Sequence, residues 1–343
     1  MLTVFSEDHK LRNSQTEVYG GELVPPFECA ERIDYVLSEL KNRDIGEIIP
    51  PNKHDLTAVL NVHSKSYVDF LSTAWEKWVA EGFKGEAIPT IWPTRNLRSD
   101  TVPSHIEAQL GYYCLASETS ISKGTYEAVL ASKDVALTAM DKILEGETSA
   151  FALCRPPGHH AAVDQYGGYC FFNNIAIAAQ HALDNGAKRV AILDVDFHHG
   201  NGTQQIFYDR DDVLVTSLHG DPDNEFPYFL GYADETGNAA GKGFNINYPM
   251  PAGTNYKTWA NALDQALATI KEYQPDYLLV SLGVDTFEND PISSFKLKSD
   301  DFSDYGKRIG KLELPTLFVM EGGYAVEEIG INTVNVIQGF SKS

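Results

Sequence analysis

The chain has 343 residues, 43% hydrophobic and 22% charged, which excludes wholesale disorder and the collagen-like and coiled-coil classes. Its 48 acidic and 27 basic side chains give a net charge of −21, which argues against nucleic-acid phosphates and anionic membrane surfaces as partners and suits cationic small molecules. There is no secretory leader, no 18-residue apolar stretch and no C-x-x-C pair, so we expect a cytoplasmic protein without a disulfide framework.

Short apolar runs predict strands that are buried on both faces of a parallel sheet, at residues 2–5, 150–154, 189–195, 213–218, 277–284 and 315–320. Helical spacing predicts helices at 125–144, 173–183, 256–273 and 300–312, and Ser122 is a candidate N-cap for the first. This alternation predicts a three-layer α/β fold with a mainly parallel central sheet. Since no repeat or linker marks a boundary, we expect residues 1–343 to form a single catalytic domain.

Residues 72–103 interrupt this alternation. The segment is rich in aromatic residues and prolines, including Trp75, Trp78, Phe83 and Trp92. A long irregular connection is unusual in a compact domain unless it has a task, and tryptophan is enriched at interfaces. We therefore expect a lid or a subunit contact, the alternative being an excursion that covers the main core.

The predicted strand at 189–195 runs directly into the motif DVDFHHGNG. Alternate side chains of an extended chain share one face, so Asp194, Asp196 and His198 are expected to point the same way. Ligands of open α/β sheets bind at the carboxyl ends of strands. Two carboxylates and one imidazole leave a position open for water, as in catalytic zinc sites, although such hard ligands also suit Fe²⁺, Mn²⁺ or Co²⁺.

Three further polar clusters follow predicted strands. RPPGHH ends in His159 and His160, which suit acid–base chemistry because imidazole titrates near neutrality. GVD supplies the carboxylate of Asp285, and EGGY ends in Tyr324, which can donate a hydrogen bond to a developing oxyanion. Each cluster alone has an ordinary explanation as a cap, a turn or a core histidine. All four at one sheet edge predict an active site.

The motifs RPPGHHA, DVDFHHGNGT, GVD and EGGY, in this order, resemble the arginase-like deacetylases, which include the histone deacetylases. FSEDHKLRNSQTEVYGGELVPPFE, GGYCFFNN, SLHGDP and VDTFENDPIS resemble the bacterial acetylpolyamine amidohydrolases within that family. The resemblance covers nearly the whole chain. It implies an arginase/deacetylase-like fold and zinc-dependent hydrolysis of acetylpolyamines, of the acetylputrescine or acetylcadaverine type, to acetate and free amine. The alternative is an acetyl-lysine protein or peptide deacetylase with the same zinc mechanism.

The resemblance also implies roles for the catalytic side chains. His160 would act as general base and then protonate the leaving amine, with Asn201 as its orienting partner. His159 would provide electrostatic help and be oriented by Asp194. Tyr324 would hold the carbonyl oxygen as it becomes an oxyanion.

Two ion sites follow from the same resemblance. The zinc ligands would be Asp196, His198 and Asp285. A structural monovalent cation, potassium by analogy, would be held by Asp194, by the carbonyls of Asp196, His198 and Leu218, and by the side chain of Ser217. The remaining histidines of this region, His199 and His219, are expected to be structural.

For the substrate, the resemblance implies a narrow channel with Tyr169 and Phe226 as aromatic walls. Glu17, Glu107 and Glu118 match acidic positions that would receive the distal ammonium groups of a polyamine. The aromatic segment at 72–103 resembles a dimerisation loop, so we expect a homodimer whose narrowed channel excludes folded proteins.

Two other function classes were weighed against this hypothesis. A binding module that retains the pocket without turnover is disfavoured, because His160 and Tyr324 accompany the ligand set. An arginase-like ureohydrolase would need a two-metal site, and the sequence lacks the second Asp-x-His-x-Asp set that such a site requires.

Overall fold

The computed structural model describes residues 1–342. Its strands, in chain order, are β1 (Leu2–Val4), β2 (Glu17–Tyr19), β3 (Glu22–Val24), β4 (Ile48–Ile49), β5 (Ser149–Ala152), β6 (Val190–Asp194), β7 (Val213–Gly220), β8 (Asn245–Met250), β9 (Tyr277–Leu282) and β10 (Thr316–Met320). Eight of them form one sheet in the order β4-β1-β5-β10-β9-β6-β7-β8, and every neighbouring pair is parallel. The other two, β2 and β3, form an antiparallel hairpin.

The helices, in chain order, are α1 (Glu31–Asn42), α2 (Thr57–Leu60), α3 (Lys65–Ala80), α4 (Ile106–Tyr113), α5 (Thr125–Leu144), α6 (Asn174–Asp184), α7 (Asn201–Phe207), α8 (Tyr256–Tyr273), α9 (Ser299–Gly310) and α10 (Ile329–Phe340). Two short 3₁₀ turns lie at Glu7–Leu11 and Ala239–Gly241. Within residues 1–342, no helix has the length and apolar character needed to cross a membrane.

Helices cover both faces of the sheet. Successive side chains of a strand point to opposite faces, so Ile192 of β6 packs with α3 to α6, whereas Ala191 and Leu193 pack with α1 and α8 to α10. All three side chains are buried, which explains why the strand is a continuous apolar run. The predicted three-layer α/β fold with a mainly parallel sheet is confirmed.

The strands and helices predicted from the sequence are all present, with ends shifted by up to two residues. The predicted N-cap is wrong. Helix α5 begins after Gly124, whose φ of +83° is a conformation that glycine adopts easily, and Ser122 lies two residues too early to cap it.

The segment at 72–103 is only partly irregular. Residues 72–80 form the end of α3, where Trp78 is buried in the core and stacks on Phe83 with ring centres 4.0 Å apart. The expected long connection is therefore shorter than the sequence indicated. Its remaining part exposes several apolar side chains, including Ile91, Leu97 and Val102.

Candidate active site

The four polar motifs meet at one edge of the sheet because of the strand order. RPPGHH follows β5, EGGY follows β10, GVD follows β9, and DVDFHH begins at Asp194, the last residue of β6. These four strands are consecutive neighbours in a parallel sheet, so their carboxyl ends lie side by side. Residues that are up to about half the chain apart in sequence therefore become one site.

Asp196, His198 and Asp285 form a buried cluster whose ligand atoms all lie within 4.8 Å of one another. The Nδ1 atom of His198 lies 3.0 Å from Asp285 Oδ2 and 3.4 Å from Asp196 Oδ1. Backbone N–H groups hold both carboxylates: Phe197 donates to Asp285 at 2.7 Å, and Gly322 donates to Asp196 at 2.8 Å. The cluster is thus oriented by the chain itself.

The electrostatics of this cluster fit a divalent metal ion. Burial, followed by the charge of Asp196, raises the pKa of Asp285 to about 8. Two buried carboxylates this close are costly unless a cation compensates them. Two carboxylates and one imidazole are also the ligand set of an open, catalytic type of zinc site. Within residues 1–342, the other cluster of metal-capable groups is His159, Cys170 and Glu321.

Each histidine of the adjacent pair has a different partner. His160 Nδ1 lies 2.7 Å from the amide oxygen of Asn201, whereas His159 Nδ1 lies 2.9 Å from Asp194 Oδ2. An amide oxygen only accepts hydrogen bonds, so His160 carries its proton on Nδ1. Its Nε2 atom is then unprotonated and able to take up a proton.

The two partners give the two imidazoles different charges. Burial, and after it the charges of His159 and His198, hold the pKa of His160 well below its usual range. Burial also lowers the pKa of His159, but Asp194 and Asp196 outweigh it and raise that pKa to about 10. Near neutral pH the site therefore contains a neutral imidazole beside a cationic one.

Tyr324 is fixed by contacts on both sides. Its backbone N–H donates to Asp290 at 2.7 Å, and the guanidinium of Arg32 lies 4.9 Å from its ring centre. Arg32 also donates to the carbonyls of Gly323 and Glu321, each at 2.6 Å. Burial raises the pKa of Tyr324 well above its usual value, so the phenol keeps its proton and can donate a hydrogen bond.

Neither Arg32 nor Asp290 had a role that its sequence context indicated. Asp290 lies in VDTFENDPIS, which had pointed only to the family subgroup, and Arg32 lies in no motif. A third omission is Glu321, whose Oε2 atom accepts the backbone N–H groups of Gly158 and His159 at 2.6 and 3.1 Å. A charged residue within EGGY was the available sequence signal for that contact.

The residues expected at the monovalent cation site lie on β7, at the end of the neighbouring strand β6, or just after it. Asp194 and Ser217 occupy paired positions of β6 and β7. The Nε2 atom of His219 lies 2.8 Å from a backbone carbonyl and donates to it, so its Nδ1 accepts the hydroxyl of Ser217 at 2.7 Å. The serine oxygen keeps its lone pairs for a cation. His199 is buried and donates from Nε2 to Gln204 at 3.0 Å.

A cleft of about 350 Å³ leads from the histidines to the surface. Phe226 lines it with its ring perpendicular to that of His160 and 5.1 Å away, and the ring of Tyr169 lies 5.5 Å from that of Tyr324. The predicted aromatic side chains thus lie on the cleft. The lining residues are Glu17, Val18, Tyr19, Gly20, Glu118, His160, Gly168, Tyr169, His198, Glu225, Phe226, Tyr228, Ile292 and Tyr324.

Glu17 and Glu118 both lie on the cleft, but each also has a structural contact. Glu17 is 1% exposed and accepts the hydroxyl of Tyr169 at 3.2 Å and the N–H of Phe27 at 3.1 Å. Glu118 accepts the N–H of Gly168 at 2.6 Å through Oε1. Burial raises the pKa of Glu17 to about 7.

Glu107 is not among the residues that line the cleft of a single chain. It lies in the first turn of α4, where its side chain is 45% exposed and 3.8 Å from His105. Glu225 lies at the cleft instead, although no sequence pattern had marked it as a substrate-binding residue. One oxygen of Glu225 accepts the hydroxyl of Ser294 at 2.8 Å.

Comparison with known proteins identifies the family of this site. The family profile of the histone deacetylase domain matches residues 26–340. The chain belongs to the histone deacetylase family. It is 56% identical over 339 residues to acetylpolyamine amidohydrolase from Mycoplana ramosa, covering 99% of each chain, and 56% identical over 340 residues to acetylpolyamine amidohydrolase 2 from Pseudomonas aeruginosa, covering 99% of this chain and 98% of that one.

The fold comparison agrees with the family. The crystal structure of acetylpolyamine aminohydrolase from Burkholderia pseudomallei superposes with a TM-score of 0.95 at 37% identity, covering 99% of this chain and 98% of that one. The chain is therefore a hydrolase of the deacetylase type with the arginase/deacetylase-like fold that the motifs predicted.

Proposed function

We propose that this enzyme hydrolyses the acetyl amide of acetylpolyamines to acetate and a free amine in a zinc-dependent reaction. The observation that carries the proposal is the combination of a deacetylase-type site with an acidic cleft. The cleft has carboxylates at Glu17, Glu118 and Glu225 and no lysine or arginine among the residues that line it. Relatives at 56% identity over the whole chain are named acetylpolyamine amidohydrolases.

Asp196, His198 and Asp285 would hold the zinc ion. When bound, zinc supplies Lewis acidity, which activates water and polarises a carbonyl group. The two carboxylates and the imidazole come from two neighbouring strands, and backbone N–H groups orient the carboxylates. This arrangement supports one metal ion at this position.

The proton transfers are assigned to His160. Its Nε2 atom is free to remove a proton from the attacking water, and the same proton is then delivered to the departing amine nitrogen. Asn201 keeps the other ring nitrogen protonated throughout. His159, cationic beside Asp194, supplies positive charge near the reacting carbonyl group as negative charge develops on its oxygen.

Tyr324 donates its hydroxyl to the substrate carbonyl oxygen. That oxygen gains negative charge as water adds to the carbonyl carbon, so the hydrogen bond strengthens in the transition state. Tyr169 and Phe226 enclose the aliphatic stem. Glu118, Glu225 and the more deeply buried Glu17 attract the distal ammonium group. Glu107 contributes only if a second subunit of a homodimer places it at the entrance of the cleft.

Two further parts of the proposal concern assembly and ions. We propose a homodimer formed through residues 81–103, where Ile91, Leu97 and Val102 are exposed apolar side chains on one irregular segment. We also propose potassium at the site of Asp194 and Ser217, where the hydroxyl oxygen has free lone pairs.

Acetate release tests the proposed substrate directly. The substrates are acetylputrescine, acetylcadaverine and an acetyl-lysine peptide, each assayed as purified, after chelation, and after addition of Zn²⁺. We expect metal-dependent turnover that strongly favours the two acetylated diamines. Turnover mainly of the peptide would keep the zinc chemistry and overturn the polyamine assignment in favour of a protein or peptide deacetylase.

A further inference from the structure

The aromatic wall formed by Tyr169 depends on an unusual backbone conformation. Tyr169 has a φ of +66°, which residues other than glycine rarely adopt. Its backbone N–H donates to Thr119 Oγ1 at 2.7 Å, and its hydroxyl donates to Glu17 at 3.2 Å. The preceding N–H, of Gly168, donates to Glu118 at 2.6 Å. Two separate segments, at 15–17 and 118–121, therefore hold this wall.

Both segments are joined by one carboxylate from the aromatic-rich segment. Glu86 Oε1 accepts the N–H of Gln15 at 2.8 Å, and its Oε2 accepts the N–H and the hydroxyl of Thr16 at 3.2 and 3.0 Å. The same Oε2 atom accepts the hydroxyl of Ser120 at 3.3 Å. Glu86 thus contacts the residue directly before Glu17 and the residue directly after Thr119.

The next residue along the chain strengthens this junction. Ala87 and Ile121 exchange both backbone hydrogen bonds, at 2.9 and 3.0 Å, in an antiparallel bridge. Ala87 is completely buried, whereas the side chain of Glu86 remains partly exposed. Residues 86 and 87 are therefore fastened to both supports of the wall, while the following part of the segment runs across the surface.

We propose that Glu86 is a positioning residue that sets substrate affinity by fixing the Tyr169 wall. Its carboxylate holds residues 15 and 16, so that Glu17 can accept the hydroxyl of Tyr169, and it holds Ser120 beside Thr119. The segment at 81–103 then acts on the cleft from within its own chain, in addition to any role at a dimer contact. The substrate part rests on the proposed function; the positioning part does not.

The contacts require a carboxylate at this position. Every group that meets Glu86 is a donor, and a carboxylate offers two acceptor oxygens and no donor. Glutamine has nearly the same shape, but its NH₂ group would face the backbone N–H of either Gln15 or Thr16.

Glu86→Gln is therefore the variant that tests the proposal most directly, and Thr16→Val, which removes one of the four contacts, is a milder second variant. Glu81→Gln is the matched control, because that side chain is 50% exposed and its nearest ionic contact is His105 at 3.8 Å.

The experiment combines steady-state kinetics with amide hydrogen exchange on the full chain. For Glu86→Gln we expect KM for the preferred acetylated amine to rise about fivefold, a scale typical of the net effect of one lost hydrogen bond, with kcat within twofold. Thr16→Val should show a smaller shift in the same direction. We also expect faster exchange at Gln15 and Thr16 and at Gly168 and Tyr169. Glu81→Gln should change neither quantity.

A double-mutant comparison tests whether Glu86 acts on KM through Tyr169. Tyr169→Phe removes the hydroxyl that Glu17 accepts, so combining it with Glu86→Gln should raise KM by less than the product of the two single effects. Additive effects, an unchanged KM, or faster exchange at 15 and 16 without any change at 168 and 169 would each overturn the proposal. The exchange result needs no substrate, so a wrong substrate assignment leaves this test intact.

Discussion

The base of the cleft and its walls are built in different ways. At the base, the candidate catalytic side chains lie within eight residues of the end of a parallel strand, and backbone N–H groups orient the carboxylates of Asp196 and Asp285. The walls come from the β2–β3 hairpin and from loops near residues 118, 168, 226 and 292. The base therefore shares the rigidity of the sheet, whereas the walls depend on loop-to-loop contacts. Under the proposed function, the first region carries the chemistry and the second determines the choice of substrate.

The largest effect should come from removing a ligand at the base. Asp285→Asn keeps the side-chain shape but replaces one buried carboxylate of the cluster with a neutral amide. We expect bound zinc to be lost and kcat/KM to fall by roughly three orders of magnitude or more, since metal binding requires the charged ligand. Metal content by emission spectroscopy and acetate release measure the two quantities. Asp264→Asn, at an exposed ion pair with Arg308, is the control. Full activity in a metal-free Asp285→Asn would contradict the assigned site.

A smaller loss is expected at the boundary between base and wall. Tyr324→Phe removes the proposed donor to the carbonyl oxygen while leaving the ring, its contact with Arg32 and the backbone bond to Asp290 in place. We expect kcat to fall by about two to three orders of magnitude, the usual effect of losing one oxyanion donor. Bound metal and the melting temperature should remain as in the wild type. An unchanged kcat would show that another group holds the oxygen.

The same contrast explains what the sequence could predict. Asp196, His198 and Asp285 follow apolar runs, and a parallel sheet collects the carboxyl ends of its strands at one edge, so local patterns predicted that they share this edge. The local pattern alone had grouped Asp194 with Asp196 and His198, whereas Asp194 contacts His159; the set that includes Asp285 came from the family resemblance. Tyr169 and Phe226 came only from the family resemblance, because no local pattern marks a cleft wall. The prediction of an irregular connection was also wrong at residues 72–80, whose aromatic side chains belong to the end of α3.

Long-range polar contacts were the least predictable feature. Arg32 reaches the EGGY loop across 289 and 291 positions of sequence, and Glu86 reaches Gln15 across 71. A surface-type residue in an unremarkable stretch gives no indication of such a contact. Glu107 is the opposite case. The sequence around it resembles the family and predicted a substrate-binding residue, but in a single chain Glu107 does not line the cleft.

The ionisation of Glu17, a carboxylate of the cleft wall, predicts a pH dependence of KM. Burial raises the pKa of Glu17 to about 7, so its charge is present above that pH and lost as the pH falls through it. The proposed substrate is cationic, so KM should rise about threefold to fivefold between pH 8 and pH 6, the scale of a charge interaction across a partly solvated cleft. In Glu17→Gln this step should be absent and KM should stay high. The ratio of the two KM values across pH is the measurement, and a constant ratio would remove Glu17 from substrate attraction.

The smallest expected effect compares two carboxylates at unequal distance from the cleft. Glu118 lines it, so Glu118→Gln should raise KM for an acetylated diamine severalfold, both by removing charge and by weakening the bond to Gly168. Glu107 is exposed on α4 outside the cleft of its own chain, so Glu107→Gln should change KM by less than about twofold in a monomer. The measurement is KM of both variants at protein concentrations below and above any monomer–dimer transition. A concentration-dependent effect of Glu107→Gln would mean that a second copy brings this carboxylate to the mouth, so that part of the wall belongs to the partner.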